Sequence, residues 1–125
     1  IKKFIMKIII YFTKSEERTL NALIDLSVSF GLEHALFETA DTKFLNENEW
    51  IIQNPFKDNG ILDWYPEGCG KVKFKFTNLG LAVIKDYRPE IIQKIKPFLP
   101  FRYPHATEHS LPKVKVKIIK EKTTS

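Results

Sequence analysis

Between Lys71 and Phe76 the chain alternates without a break, Lys-Val-Lys-Phe-Lys-Phe. A period of two is that of a β-strand, so Val72, Phe74 and Phe76 share one face and Lys71, Lys73 and Lys75 the other. The shorter run Ile61-Leu62-Asp63-Trp64-Tyr65 precedes it across a Gly-rich turn, Glu67-Gly68-Cys69-Gly70. Together they predict a β-hairpin. Thr77 then offers a side-chain cap for a helix whose apolar positions are Leu79, Ala82, Val83 and Tyr87.

Upstream, the β-branched run Ile8 to Phe12 predicts a strand, buried on both faces or facing the core from an edge. Thr13 and Glu16 stand at capping-box spacing ahead of a helix with Leu20, Leu23, Ile24 and Val28 on one stripe. Gly31 ends it. A short second helix is predicted over 32–40, a turn at Asp41-Thr42-Lys43, and a third helix capped by Asn46 and Glu49 and carrying Trp50, Ile51 and Ile52. Pro55 cannot donate a backbone hydrogen bond, so this helix is short or kinked there, and Asn59-Gly60 gives it a left-handed stop. Pro89 opens a last helix with Ile91, Ile92 and Ile95 as its apolar side. Pro97, Pro100, Pro104 and Pro112 mark an extended connector. Lys113-Val114-Lys115-Val116-Lys117-Ile118-Ile119 repeats the alternation of the hairpin and predicts a second strand with a basic face. The residues from 121 onward read as a polar tail.

At 125 residues, 43% hydrophobic and 28% charged, the composition is that of a globular chain large enough to bury a core. The formal net charge of +5 is compatible with nucleic acid or another anionic partner. Cys69 is the single cysteine, which excludes an internal disulfide and points to a reducing, cytoplasmic setting. No apolar run reaches membrane-spanning length. The N-terminal apolar run is interrupted by Lys7 and lacks a small-residue cleavage site, so it reads as a strand and not a signal peptide.

The helix stop Asn59-Gly60-Ile61-Leu62, the hairpin with the tip Glu67-Gly68-Cys69-Gly70-Lys71, and the helix start Phe76-Thr77-Asn78-Leu79-Gly80 resemble the second half of a winged helix-turn-helix domain of the MarR and PadR groups. The resemblance implies an α+β fold, with a winged-helix-like three-helix core and a β-hairpin wing. An N-terminal strand and a C-terminal basic strand are added to it. The domain would cover 1–99, with the Pro-rich connector, basic strand and tail over 100–125. It implies a small, non-catalytic transcriptional regulator that binds double-stranded DNA as a homodimer. The dimer contact would come from Leu79 to Tyr87 together with Ile91 to Ile95.

On that reading Lys71, Lys73 and Lys75 on the wing contact phosphate, joined by Lys113, Lys115 and Lys117 if the last strand lies alongside. Base contacts fall to Asn46, Asn48 and Gln53. The chain departs from the pattern in one respect. The recognition-helix segment, Phe44 to Lys57, carries Glu47 and Glu49, one lysine and no arginine. Carboxylates facing phosphates repel them, and alternating lysines also protect exposed strands from aggregation. The alternative is therefore a protein- or RNA-interaction module, or a small subunit of a larger assembly, using the same fold.

Other candidates are weaker in chemistry. Trp64 and Tyr65 would stack on a base or, more ordinarily, pack beneath the hairpin. His105 and His109 stand four apart, with Cys69 and His34 as further metal donors, but in a Pro-rich segment the expectation is no metal. Cys69 beside Lys71 would sense oxidants only with a resolving partner. No catalytic constellation and no cofactor fingerprint is present. The run from Met6 to Thr13 followed by a helix also resembles the opening of an α/β unit, whose crevice lies at the strand's C-terminal end.

Overall fold

A computed structural model describes residues 7–99, 103 and 111–120. Strand β1, Ile8–Thr13, passes directly into helix α1, Lys14–Ser27, because Thr13 closes a complete capping box. The Glu16 amide donates to Thr13 Oγ1 at 3.2 Å and the Thr13 amide donates to Glu16 Oε1 at 2.9 Å. Leu20, Leu23 and Ile24 face inward as their spacing requires. A single 3-10 turn, Val28–Phe30, then ends at Gly31 in the left-handed region (φ 70°).

The next segment corrects the sequence expectation. Residues 32–40 do not form a helix: β2 occupies Glu33–Phe37. Leu32 and Leu36, both fully buried, stand four apart, a spacing that fits either period. What decides is the chain's geometry at Gly31 and Leu32, two successive positive-φ residues (70° and 69°) that turn it onto the free edge of a strand downstream.

Helix α2 runs from Glu38 to Ile51, earlier than the expected start at Asn46. The predicted turn survives only as one non-helical residue, Asp41 (φ −113°, ψ 16°), whose Oδ2 accepts the Phe37 amide at 2.9 Å. The regular α-helix ends at Ile51, four residues before Pro55, so the expected irregularity is present. The chain widens into a π-helical stretch, Ile52–Asp58, that contains the proline, and Gly60 (φ 75°) follows as the stop.

The hairpin forms as predicted, β3 over Leu62–Gly68 and β4 over Lys71–Phe76, with the inward stripe of β4 buried at Phe74 and Phe76 and half-buried at Val72. It is not a free-standing wing. The sheet order is β2-β4-β3, antiparallel throughout, so β4 is the central strand. Cys69 (φ 55°) and Gly70 (φ 70°) form the two-residue loop with positive φ at both positions, a conformation that suits Asn and Gly and costs other L-residues about 1 kcal/mol or more. Replacing Cys69→Asn is therefore expected to stabilise the protein by about 0.5–1 kcal/mol, read as a rise of a few degrees in the thermal midpoint. A lower midpoint would show that the thiol itself supports the turn.

Helix α3, Asn78–Tyr87, is capped by Thr77, whose Oγ1 accepts the Gly80 amide at 3.1 Å. Helix α4, Pro89–Ile95, begins on its proline. Leu81, Ala82, Val83, Ile84, Ile91, Ile92 and Ile95 are all buried against the chain's own core, at 2% exposure or less. The apolar residues assigned to a dimer contact are thus consumed within one copy. Tyr87 locks α3 to α1: its hydroxyl donates to Glu17 and accepts from Asn21 Nδ2 at 3.0 Å. Burial first, and then the bond to the Glu17 carboxylate, push its phenol above the ordinary 10.

Strand β5, Val114–Ile119, does not lie beside the hairpin. It pairs in parallel with β1, Ile8 opposite Val114 through Thr13 opposite Ile119, as a separate two-stranded sheet. Of β1 only Phe12 is buried, with Ile10 packed against the core; Ile8, Ile9 and Tyr11 stand 46%, 47% and 55% exposed, so of the two expected arrangements the strand faces the core from an edge and is not buried on both faces. Phe12 ties this small sheet to the body by an edge-to-face contact with Phe56, ring centres 5.7 Å apart. The architecture is α+β, four α-helices with two sheets among the described residues. None of those helices is long and apolar enough to cross a membrane.

Candidate functional site

The lysine face of β4 is built between two neighbouring strands, and their side chains decide its charge. Lys75 lies between Glu33 and Asp63, Lys73 between Ala35 and Tyr65, and Lys71 between Phe37 and Gly68. Lys71 Nζ is 3.4 Å from Glu67 Oε2 and 5.7 Å from the centre of the Phe37 ring. Lys75 Nζ sits 4.6 Å over the ring of Tyr103. All three lysines are half-buried. Three carboxylates, Glu33, Asp63 and Glu67, thus stand among three ammonium groups, and the face is close to neutral. A neutral, partly covered face attracts phosphate weakly.

The helix beside it is less suited still to a DNA groove. Glu47 and Glu49 are both exposed. Asn48 is turned inward: its Nδ2 donates to the Phe44 carbonyl at 2.9 Å and its Oδ1 accepts from Thr19 Oγ1 at 2.6 Å. It holds α2 on α1 and is not free to read a base. Asn46 and Gln53 instead line a groove of about 430 Å³ between α2 and the hairpin, shared with Glu38, Glu49, Lys57 and Lys71. Two acids and two bases rim this groove, so it too lacks a single sign.

Trp50 is the residue whose exposure the sequence reading left unstated. It lies in a helix as expected, yet it is 71% exposed, the most exposed large hydrophobic side chain among the described residues. The signal lay in the spacing. Asn48, Ile52 and Phe56 follow one another at four-residue steps on the inward side, and Trp50 falls midway between two of them. Its indole stands in water on the outward side of α2, just after the exposed Glu47 and Glu49.

The remaining candidates separate in space. Lys113, Lys115 and Lys117 are exposed but belong to the β1–β5 sheet, so they do not extend the hairpin's lysine face. Trp64 is buried and stacks on Phe74 at 6.2 Å, which makes it a packing residue, while Tyr65 is 38% exposed. His34 stacks on Phe30 at 5.0 Å within β2, and Cys69 is exposed at the hairpin tip. His105 and His109 lie outside the described residues. No family model matches the sequence, and neither a curated protein nor a solved structure matches it.

Proposed function

We propose that this chain is a non-catalytic, winged-helix-like interaction module whose contact surface is the outward side of α2 with Trp50 as its anchor. The order of a helix closed at Gly60, a hairpin, and a Thr77-capped helix supports the winged-helix-like reading. The observation that carries the function is the 71% exposure of Trp50 on the same helix as the exposed Glu47 and Glu49. Tryptophan supplies large contact area at low entropic cost and dominates the centres of protein interfaces. Flanking carboxylates select a protein partner with a basic rim and disfavour a phosphate backbone.

A second reading, a small transcriptional regulator on double-stranded DNA, retains one specific observation: Lys113, Lys115 and Lys117 are all exposed. Fluorescence anisotropy with a random duplex and with single-stranded RNA, at about 50 and about 200 mM salt, separates the two. The module reading expects nothing tighter than the roughly 10⁻⁴–10⁻⁶ M of non-specific binding, unchanged in the double variant Lys73→Glu, Lys75→Glu. It also expects Trp50→Ala to move folding stability by no more than about 0.5 kcal/mol, as befits a side chain outside the core. Nanomolar duplex affinity, lost in a Lys115→Glu, Lys117→Glu variant, would instead establish the DNA reading.

A further inference from the structure

We propose that a second copy of this chain adds its own β1 antiparallel to β1, so that the two small sheets become one four-stranded sheet across a two-fold axis. The argument starts from the backbone. The Ile8 amide donates to the Lys113 carbonyl at 2.9 Å, so the polar backbone groups of Ile8 face β5. Those of alternate residues, Ile10 and Phe12, face the same way, and those of Ile9 and Tyr11 face away. Among the described residues the sheet contains no other strand, so β1 presents an open edge.

The two edges of this sheet are treated differently. On the outer side of β5 the Val116 amide donates to Asp86 Oδ2 at 2.8 Å, and α3 packs there. On the outer side of β1 lies a groove of about 360 Å³, lined by all five residues from Ile8 to Phe12 and across from them by Pro55, Ile61 and Leu79. Consecutive residues of a strand line one cavity only along its edge, because their side chains alternate between faces. The open edge therefore runs beside a mostly apolar slot of strand length, with Glu16 and Asn59 as its polar lining. A two-stranded sheet is marginal alone, and parallel pairs are ordinarily buried. Addition of strands at this edge answers both.

A second copy fits the edge by charge. Lys7 immediately precedes the strand, which ends at Thr13, whose amide is held by the carboxylate of Glu16 on the groove side. Antiparallel pairing centred on Ile10 places Lys7 of each copy opposite Thr13 of the other, beside Glu16. The same register sets Ile9 opposite Tyr11 as hydrogen-bonded pairs, with an aromatic ring against a β-branched side chain on the exposed face. Between these charged ends Ile8 to Phe12 carries no charge, glycine or proline, the composition of a segment that pairs with its own kind. Trp50 lines an adjoining groove that shares Glu16, Pro55 and Asn59 with this one, but the strand pairing does not depend on the function proposed for Trp50.

The test is sedimentation velocity on the full chain from about 1 to about 100 µM, against Ile9→Pro and Lys7→Glu. Proline at position 9 removes an outward-facing amide and leaves the bonds to β5 in place. The wild type is expected to move from monomer to dimer across this range. Ile9→Pro should raise the dissociation constant at least tenfold with an unchanged circular dichroism spectrum, and Lys7→Glu several-fold. Should Ile9→Pro fail to fold, Tyr11→Asp alters only an exposed side chain and is expected to have the same effect. A wild type that stays monomeric at every concentration overturns the proposal, as does a dimer that these variants leave equally tight.

Discussion

Gly80→Ala is expected to destabilise the protein by about 3 kcal/mol or more, although alanine is the better helix former by about 1 kcal/mol. Helix α3 begins pressed against the backbone at Ile61. A Cβ at position 80 would fall well inside contact distance of the Ile61 carbonyl oxygen and 3.0 Å from Phe76 Cδ1. Neither obstacle is a flexible side-chain end. The same carbonyl accepts the Thr77 amide at 3.0 Å and Thr77 Oγ1 at 3.0 Å, so moving the helix away would break the cap that starts it. Overpacking at a backbone contact therefore outweighs the gain in propensity. Urea denaturation measures the sign directly. A midpoint raised in the alanine variant would mean that propensity governs and that α3 does not lie this close.

The other large effect is at Phe74. Phe74→Ala is expected to cost about 3–5 kcal/mol, the range for emptying a buried aromatic site. The ring is fully buried, with Trp64, Phe76 and His34 around it at centre-to-centre distances of 6.2, 6.1 and 6.4 Å. Loss of the ring would expose the Trp64 indole, so its fluorescence should shift to the red along with the lowered midpoint. Lys73→Ala, one residue away on the opposite face, should change stability by no more than about 0.5 kcal/mol. Comparable losses at both positions would contradict the two-faced packing of β4.

Local signals carried well where one residue type does one physical job. Thr13 with Glu16, Thr77 with Gly80, Gly60 after the third helix, and the alternation of β4 all act over a few residues, and the structure places each as its chemistry requires. What was not legible depended on partners distant in the chain. Glu33–Phe37 carries too few apolar residues to distinguish a helix from a strand, and it becomes β2 by pairing with the edge of β4 onto which the turn at Gly31 and Leu32 leads it. The neutral character of the lysine face was hidden for the same reason. Lys71, Lys73 and Lys75 alternate visibly, but Glu33 and Asp63 become their neighbours only through pairing. Trp50 shows the opposite failure. Helical spacing assigned it a place in the helix, and the apolar label concealed that its side looks outward.

Pairing of β1 with β5 joins the earliest described strand to the latest. During synthesis the isoleucine-rich strand must wait for all four α-helices and the three-stranded sheet before its mate leaves the ribosome. Closing so long a loop is a slow step, because its entropy is lost before the contact rewards it. A chain halted before Val114 would carry a sticky, half-paired ribbon, which makes such fragments natural clients for chaperones and for proteolysis.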